Sequence, residues 1–127
     1  MSVILDSGKR QEFGTGSVRD TNDGKGDFSL LPYYSISELA IHFQKGAAKY
    51  SAENWRKGQP LSRYFDSAQR HLSKFAMGFD DENHLIASIW NLMCLLETRR
   101  MVELKQLPEK LNDFPRINLE EKTINVK

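Results

Sequence analysis

The sequence predicts a mainly all-α fold: a compact helical bundle of three principal helices, with an extended Gly-rich N-terminal arm and an irregular C-terminal tail. Apolar residues recur at helical spacing in three successive segments, each bounded by capping or breaking residues. The first 31 residues show no such period, and nowhere is there an alternating run strong enough for a central strand. At 127 residues the chain is sized for one modest core. The expected organisation is a single domain, 1–127, made of an arm (1–31), a helical core (32–105) and a tail (106–127).

The arm is rich in Gly, Ser, Asp and charge, and "GTGSVRDTNDGKGD" reads as loop. The first helix opens in "LPYYSISELAIHFQKGAAKYS". Ser35 is the expected N-cap and Glu38, three residues on, completes a capping box. Ile36, Leu39, Ala40, Phe43, Ala47 and Tyr50 share one side, with Glu38, His42, Lys45 and Lys49 as a polar row opposite. After the connector "AENWRKGQP", a second helix is expected from about Leu61 to Met77. Its apolar stripe is Leu61, Phe65, Ala68, Leu72 and Phe75, and Gly78 is the left-handed residue that ends it. His71 falls at the margin of this helix, beside Tyr64 and Ser67. The third helix follows Asp80, Asp81 and Glu82, carboxylates suited to a helix N-terminus, and continues to about Leu104. It is apolar nearly all round, so it belongs in the middle of a bundle, and three helices give it limited cover. A homo-oligomer is therefore expected. Beyond it, Pro108 and Pro115 interrupt the pattern.

Charge and cysteine content exclude several classes. With 18 basic and 17 acidic residues the net charge is +1, which removes the chain-wide electrostatic case for binding a nucleic-acid polymer or an anionic membrane. The single cysteine, Cys94, lies within an apolar run, which rules out an intrachain disulfide and suits a reducing, cytoplasmic setting. No apolar run reaches the roughly 18–20 residues of a membrane span, and no secretory signal pattern stands at the N-terminus.

Polar groups inside the third helix raise the functional question. Asp81, His84, Ser88, Asn91 and Thr98 fall along one edge at spacings of three, four and seven. Either Ser88 and Asn91 bond nearby backbone groups while Asp81 caps the helix, or this edge lines a pocket. A short acidic loop joins the helices of His71 and His84, so an antiparallel pair brings the two rings together. With Asp80, Asp81 or Asp66 they would form a mixed His/carboxylate metal site, or a base and its orienter. In the arm, glycines permit anion-binding turns, and Arg19 and Lys25 are suited to phosphates. The P-loop pattern is absent. Lys45, Lys49, Asn54, Trp55 and Lys57 form a cationic segment whose Trp55 either stacks on a base or packs the loop onto a helix.

Three ordered blocks carry a resemblance: "TGSVRDTNDGKGDFSLLP", "KGAAKYSAENWRKGQPLSRYFDSAQRHL" and "HLIASIWNLMCLLET". From about Phe13 to Glu97 the chain resembles the phage-associated family of dATP/dGTP diphosphohydrolase N-terminal domains. The resemblance implies hydrolysis of purine deoxynucleoside triphosphates to monophosphate and pyrophosphate, adjusting the nucleotide pool in the cytoplasm of an infected host. The family is akin in activity to MazG-like pyrophosphohydrolases, which are Mg²⁺-dependent oligomers, so Mg²⁺ or Mn²⁺ is the implied cofactor. The matching positions are Arg19, Asp20, Gly24 and Lys25 in the arm, then Lys45, Gly46, Lys49, Tyr50, Asn54 and Trp55. Asp66, Arg70 and His71 follow in the second helix, and His84, Trp90 and Asn91 in the third.

From these, His71, His84 and Asp66 are the expected catalytic groups, and Glu38, Asp66 and Asp81 the expected metal ligands. Arg19, Asp20, Lys25, Lys45, Lys49, Asn54, Trp55, Arg70 and Asn91 are expected to bind substrate. The E-E-x-x-E and E-x-x-D carboxylate sets of MazG-like enzymes are missing here. That departure leaves a second expectation standing: a non-catalytic nucleotide binder, such as a phage sponge that sequesters a signalling nucleotide.

Overall fold

A computed structural model describes residues 4–114, which fall into two compact units, one ending at Tyr33 and the other beginning at Tyr34. The tail expected beyond Phe114 lies outside the described residues.

The first unit holds two short antiparallel strands, β1 (Arg10–Glu12) and β2 (Val18–Asp20), with Gln11 opposite Arg19. The sequence reading gave this stretch as loop. The departure has a local cause: Gly16 takes a left-handed φ of 87°, and its N–H donates to the Phe13 carbonyl, closing the turn between the strands. Asp6 receives Arg10, and Asp20 receives both the Ser7 hydroxyl and Lys25.

The second unit is built on α1 (Tyr33–Lys49), α2 (Leu61–Ala76) and α3 (His84–Glu103), confirming the mainly all-α fold with three principal helices. α1 begins directly after Pro32, two residues before Ser35, so Ser35 is not the N-cap and the capping box is not its start. Proline's fixed φ and missing N–H cost nothing at a helix start. Leu39 is the buried residue of α1, flanked by half-buried Glu38, His42, Phe43, Gly46 and Ala47. His42 thus turns toward Trp90 of α3, and half-buried Glu38 is not part of a solvated outer row.

α2 also sits rotated from its expected stripe. Leu61, Tyr64 and Ala68 are buried and His71 is half-buried, whereas Phe65, Leu72 and Phe75 are exposed. Tyr64 gains a polar partner by turning inward, because its hydroxyl donates to the Trp55 carbonyl at 3.3 Å. Phe65 instead meets Phe114 edge-on, with ring centroids 5.3 Å apart. The start of α2 has no cap of its own; Asp113 supplies one from the C-terminal segment, accepting from the Ser62 N–H at 2.9 Å and from the Ser62 hydroxyl. Its end is as expected. Gly78 has φ 87° and its N–H donates to Phe75, while Phe79 N–H reaches back to the Lys74 carbonyl, a Schellman closure.

α3 starts at His84, not within the acidic run. Asn83 is its N-cap, accepting from Ile86 N–H at 3.0 Å. The helix packs along α2 in antiparallel fashion, as the short connection between them requires. Its inward side holds Ile86, Ala87, Cys94 and Val102 together with His84, Ser88, Asn91 and Thr98. On its outward side Leu85, Ile89, Leu92, Met93 and Leu96 are each 40–64 % exposed. Among the described residues no helix is long and apolar enough to cross a membrane.

Candidate functional site

Where α2 and α3 run side by side, the two imidazoles meet. His71 Nδ1 lies 2.9 Å from His84 Nδ1, with the ring centroids 5.2 Å apart. The Ser88 hydroxyl donates to the Ala68 carbonyl at 2.9 Å. Ser88 is one turn beyond His84 and Ala68 one turn before His71, so this bond fixes the helix separation beside the pair. The other ring nitrogen of His84, Nε2, is 2.8 Å from Asp81 Oδ1. A carboxylate can only accept, so Nε2 carries a proton, and Nδ1 is the ring nitrogen that faces His71. The same hydrogen bond lowers the Asp81 pKa. His71 lies 3.6 Å from Glu82 Oε1, and its pKa is lowered chiefly by burial, with the positive charges of Arg70 and Lys74 acting the same way and Glu82 opposing. His71, Glu82 and His84 each present a donor atom within 4.8 Å of the others.

This cluster edges a cavity of about 610 Å³ in the second unit, which His71 and Glu82 both line. Such a volume is in the range of small-molecule sites. One wall is aromatic: Trp90 lies 5.5 Å from His42 and 6.0 Å from Phe43, and Phe43 meets Trp55 edge-on at 6.2 Å. Lys45, Lys49 and Arg63 bring positive charge to the lining. Among the described residues Lys45 and Lys49 have no carboxylate within 4.0 Å, whereas Arg63 is 3.8 Å from Asp66. Asn54, Ser67 and Asn91 supply neutral polar groups. Asn91 is buried and its amide donates to the Ala87 carbonyl of its own helix at 2.8 Å, leaving its oxygen as an acceptor. Burial lowers the His42 pKa, and Lys45 and His71 add to that shift against Glu82.

Residues 15–106 match the family model described as dATP/dGTP diphosphohydrolase, N-terminal. The chain belongs to this family. Neither the curated proteins nor the solved structures include a match to it. The diphosphohydrolase-family stretch takes in the whole cavity lining, from His42 to Asn91, and both histidines of the cluster.

The structure brings together only some of the residues that the sequence singled out. Lys45, Lys49, Asn54, Trp55, His71 and Asn91 line the cavity, with His84 directly behind His71. Asp66 and Arg70 are outside the lining and bond each other at 3.0 Å on the exposed side of α2. Glu38 is also outside the lining, and Asp81 stands behind His84 rather than beside His71. Arg19, Asp20 and Lys25 belong to the first unit, where Asp20 and Lys25 pair at 3.1 Å.

Several further lining residues, Glu82, Arg63, His42 and Phe43 among them, were not among the expected site groups. Glu82 had a signal available, since it lies two residues before His84 in "DDENH". His42 was assigned by periodicity to the polar row opposite the apolar side of its helix, and periodicity cannot see a cavity between elements.

Proposed function

We propose that this protein hydrolyses purine deoxynucleoside triphosphates, dATP and dGTP, to monophosphate and pyrophosphate. The observation that supports the reading is the cavity itself: an aromatic wall, lysines and a histidine–carboxylate cluster, all inside the stretch that matches the diphosphohydrolase family. The biological setting we propose is adjustment of the nucleotide pool in the cytoplasm of a phage-infected cell.

Lys45, Lys49 and Arg63 bind the triphosphate and neutralise charge that builds on the leaving pyrophosphate. Trp55 and Trp90 give the base apolar faces, and Asn54 and Asn91 give it hydrogen-bonding edges. Water attacks the α-phosphorus, the bond from that phosphorus to the bridging oxygen breaks, and pyrophosphate departs with the electron pair. Glu82, the carboxylate of the lining, accepts the proton from water. The family's activity implies Mg²⁺, an ion that prefers near-octahedral oxygen coordination. The His71, Glu82 and His84 donors do not fit it, since two of the three are imidazole nitrogens. Mg²⁺ therefore belongs to the substrate, carried on the phosphate oxygens.

A second reading, a nucleotide binder without turnover, is favoured by one feature: among the described residues Glu82 is the sole carboxylate of the cavity lining. Incubating the purified protein with each of the four deoxynucleoside triphosphates and Mg²⁺ separates the two. Release of pyrophosphate and monophosphate from dATP and dGTP is the expected result, with Glu82→Gln reducing it at least tenfold. Stoichiometric nucleotide binding without product would overturn hydrolysis in favour of the binder.

The reading includes a homo-oligomer, supported by the exposed apolar row on α3. A second copy of the same row is a fitting cover, and sedimentation at several concentrations tests it.

A further inference from the structure

We propose that His71, Glu82 and His84 form a binding site for a first-row transition-metal ion of the Zn²⁺ or Mn²⁺ type, with its open coordination position toward the cavity. The inference rests on the donor atoms alone and holds whether the protein hydrolyses a nucleotide or only holds one.

Geometry supplies the first argument. Two metal–nitrogen bonds of about 2.0–2.1 Å at a tetrahedral angle span roughly 3.3 Å between the nitrogens. The observed Nδ1–Nδ1 separation is 2.9 Å, and Glu82 Oε1 lies 3.6 Å from His71 Nδ1. A ring shift of a few tenths of an ångström therefore admits an ion between the two nitrogens, and the exposed Glu82 side chain, its donor within 4.8 Å of both, closes on it by a rotamer adjustment. Both rings are carried by helices whose separation is fixed nearby by the Ser88–Ala68 hydrogen bond, so the donors are placed before any ion arrives.

Asp81 supplies the second argument. By accepting from His84 Nε2 at 2.8 Å, it holds the proton on the far side of the ring and turns the Nδ1 lone pair toward the cluster. A carboxylate behind a histidine in this way is the usual support of a metal-ligating imidazole. The His84 side chain is 1 % exposed, and Asp81 itself is left outside the donor set.

Ligand chemistry selects the ion. Two neutral imidazoles and one carboxylate suit Zn²⁺, Mn²⁺, Fe²⁺ or Co²⁺, and three protein ligands leave a position free for water or substrate oxygen. His71 and Glu82 line the cavity, so that position opens onto it. The rival explanation is a neutral hydrogen bond, with His71 Nδ1–H donating to His84 Nδ1 and no ion involved.

Calorimetric titration of the chelator-treated full chain separates the two, using Zn²⁺, Mn²⁺ and Mg²⁺, with Co²⁺ absorption as a report on nitrogen coordination. One equivalent of Zn²⁺ per chain is expected, bound at least about 100-fold tighter than Mg²⁺, with Co²⁺ giving ligand-field bands of a nitrogen-coordinated site. His71→Ala and Glu82→Gln alter groups that are not fully buried, so these variants are expected to fold with unchanged circular dichroism. The first abolishes stoichiometric binding and the second weakens it. Asp81→Asn weakens it by about 10–100-fold. His42→Gln leaves the stoichiometry at one. Binding that survives His71→Ala, or no preference for Zn²⁺ over Mg²⁺, overturns the site and leaves the hydrogen-bonded pair.

Discussion

The two long edges of α3 exchange the roles that hydropathy assigns them. The edge formed by His84, Ser88, Asn91 and Thr98 is buried, while Leu85, Ile89, Leu92, Met93 and Leu96 are each at least 40 % exposed. The difference lies in what each edge meets. The polar edge faces groups that answer three of its four members: Asp81 and His71 for His84, the Ala68 carbonyl for Ser88 and the Ala87 carbonyl for Asn91, while among the described residues the buried Thr98 hydroxyl has no hydrogen-bond partner. A buried polar group with a partner costs little, whereas an unpaired one costs about 1–3 kcal/mol. Among the described residues no neighbour of its own unit covers the apolar edge. α3 therefore spends its polar residues on assembling a site, and its apolar row is available for a partner surface.

Removing the first member of the polar edge tests this contrast most strongly. His84→Ala deletes a buried ring and strands Asp81 and His71, so we expect a loss of about 2–4 kcal/mol in denaturant unfolding of the metal-free protein. A loss below about 0.5 kcal/mol would mean that the polar edge does not hold the helices together.

Acid acts on the same edge with a smaller effect. Burial lowers the pKa of His71 and of His42 beneath the ordinary histidine value, so the unfolded chain binds protons that the folded chain resists. Their contribution is fully present above about pH 6.5 and is lost as the pH falls from there through the folded-state values. Asp81 and Asp113 have the opposite charge type and lowered values; their contribution is fully present above the ordinary carboxylate value and is lost as the pH falls from there through the folded-state values. The melting temperature of the chelator-treated protein should therefore drop between pH 7 and pH 5. Leucine or glutamine at both His42 and His71 should flatten that profile, and an unchanged slope would count against it.

Ser88→Ala removes one hydrogen bond between α2 and α3, with an expected cost of about 1 kcal/mol. It should also weaken Zn²⁺ binding, because the bond fixes the spacing of the two histidines. The smallest effect is expected on the opposite edge. Leu92→Gln and Leu96→Gln should each change the stability of the monomer by no more than about 0.5 kcal/mol, and should lower the mass of any self-assembled species in sedimentation. A cost of several kcal/mol to the monomer would erase the contrast between the edges.

Three helices, the Gly78 stop, the approach of His71 to His84 and the family blocks were all legible in the sequence, because each depends on local spacing or a short connection. The orientation of the helices was not. α2 buries Tyr64 in place of Phe65 because the Trp55 carbonyl and the C-terminal Phe114 lie on different sides of it, and neither is a neighbour in sequence. α3 is apolar nearly all round, so its periodicity names no inward face; the partners on α2 decide which edge is covered. The entry of Glu82 into the histidine cluster, and the pairing of Asp66 with Arg70 away from the cavity, follow from that same rotation. What the sequence by itself determined is which segments become helices and which chemical groups they carry. Which of those groups meet was decided by tertiary packing, since a helix fixes residue spacing along its own axis and leaves its rotation to the surfaces it finds.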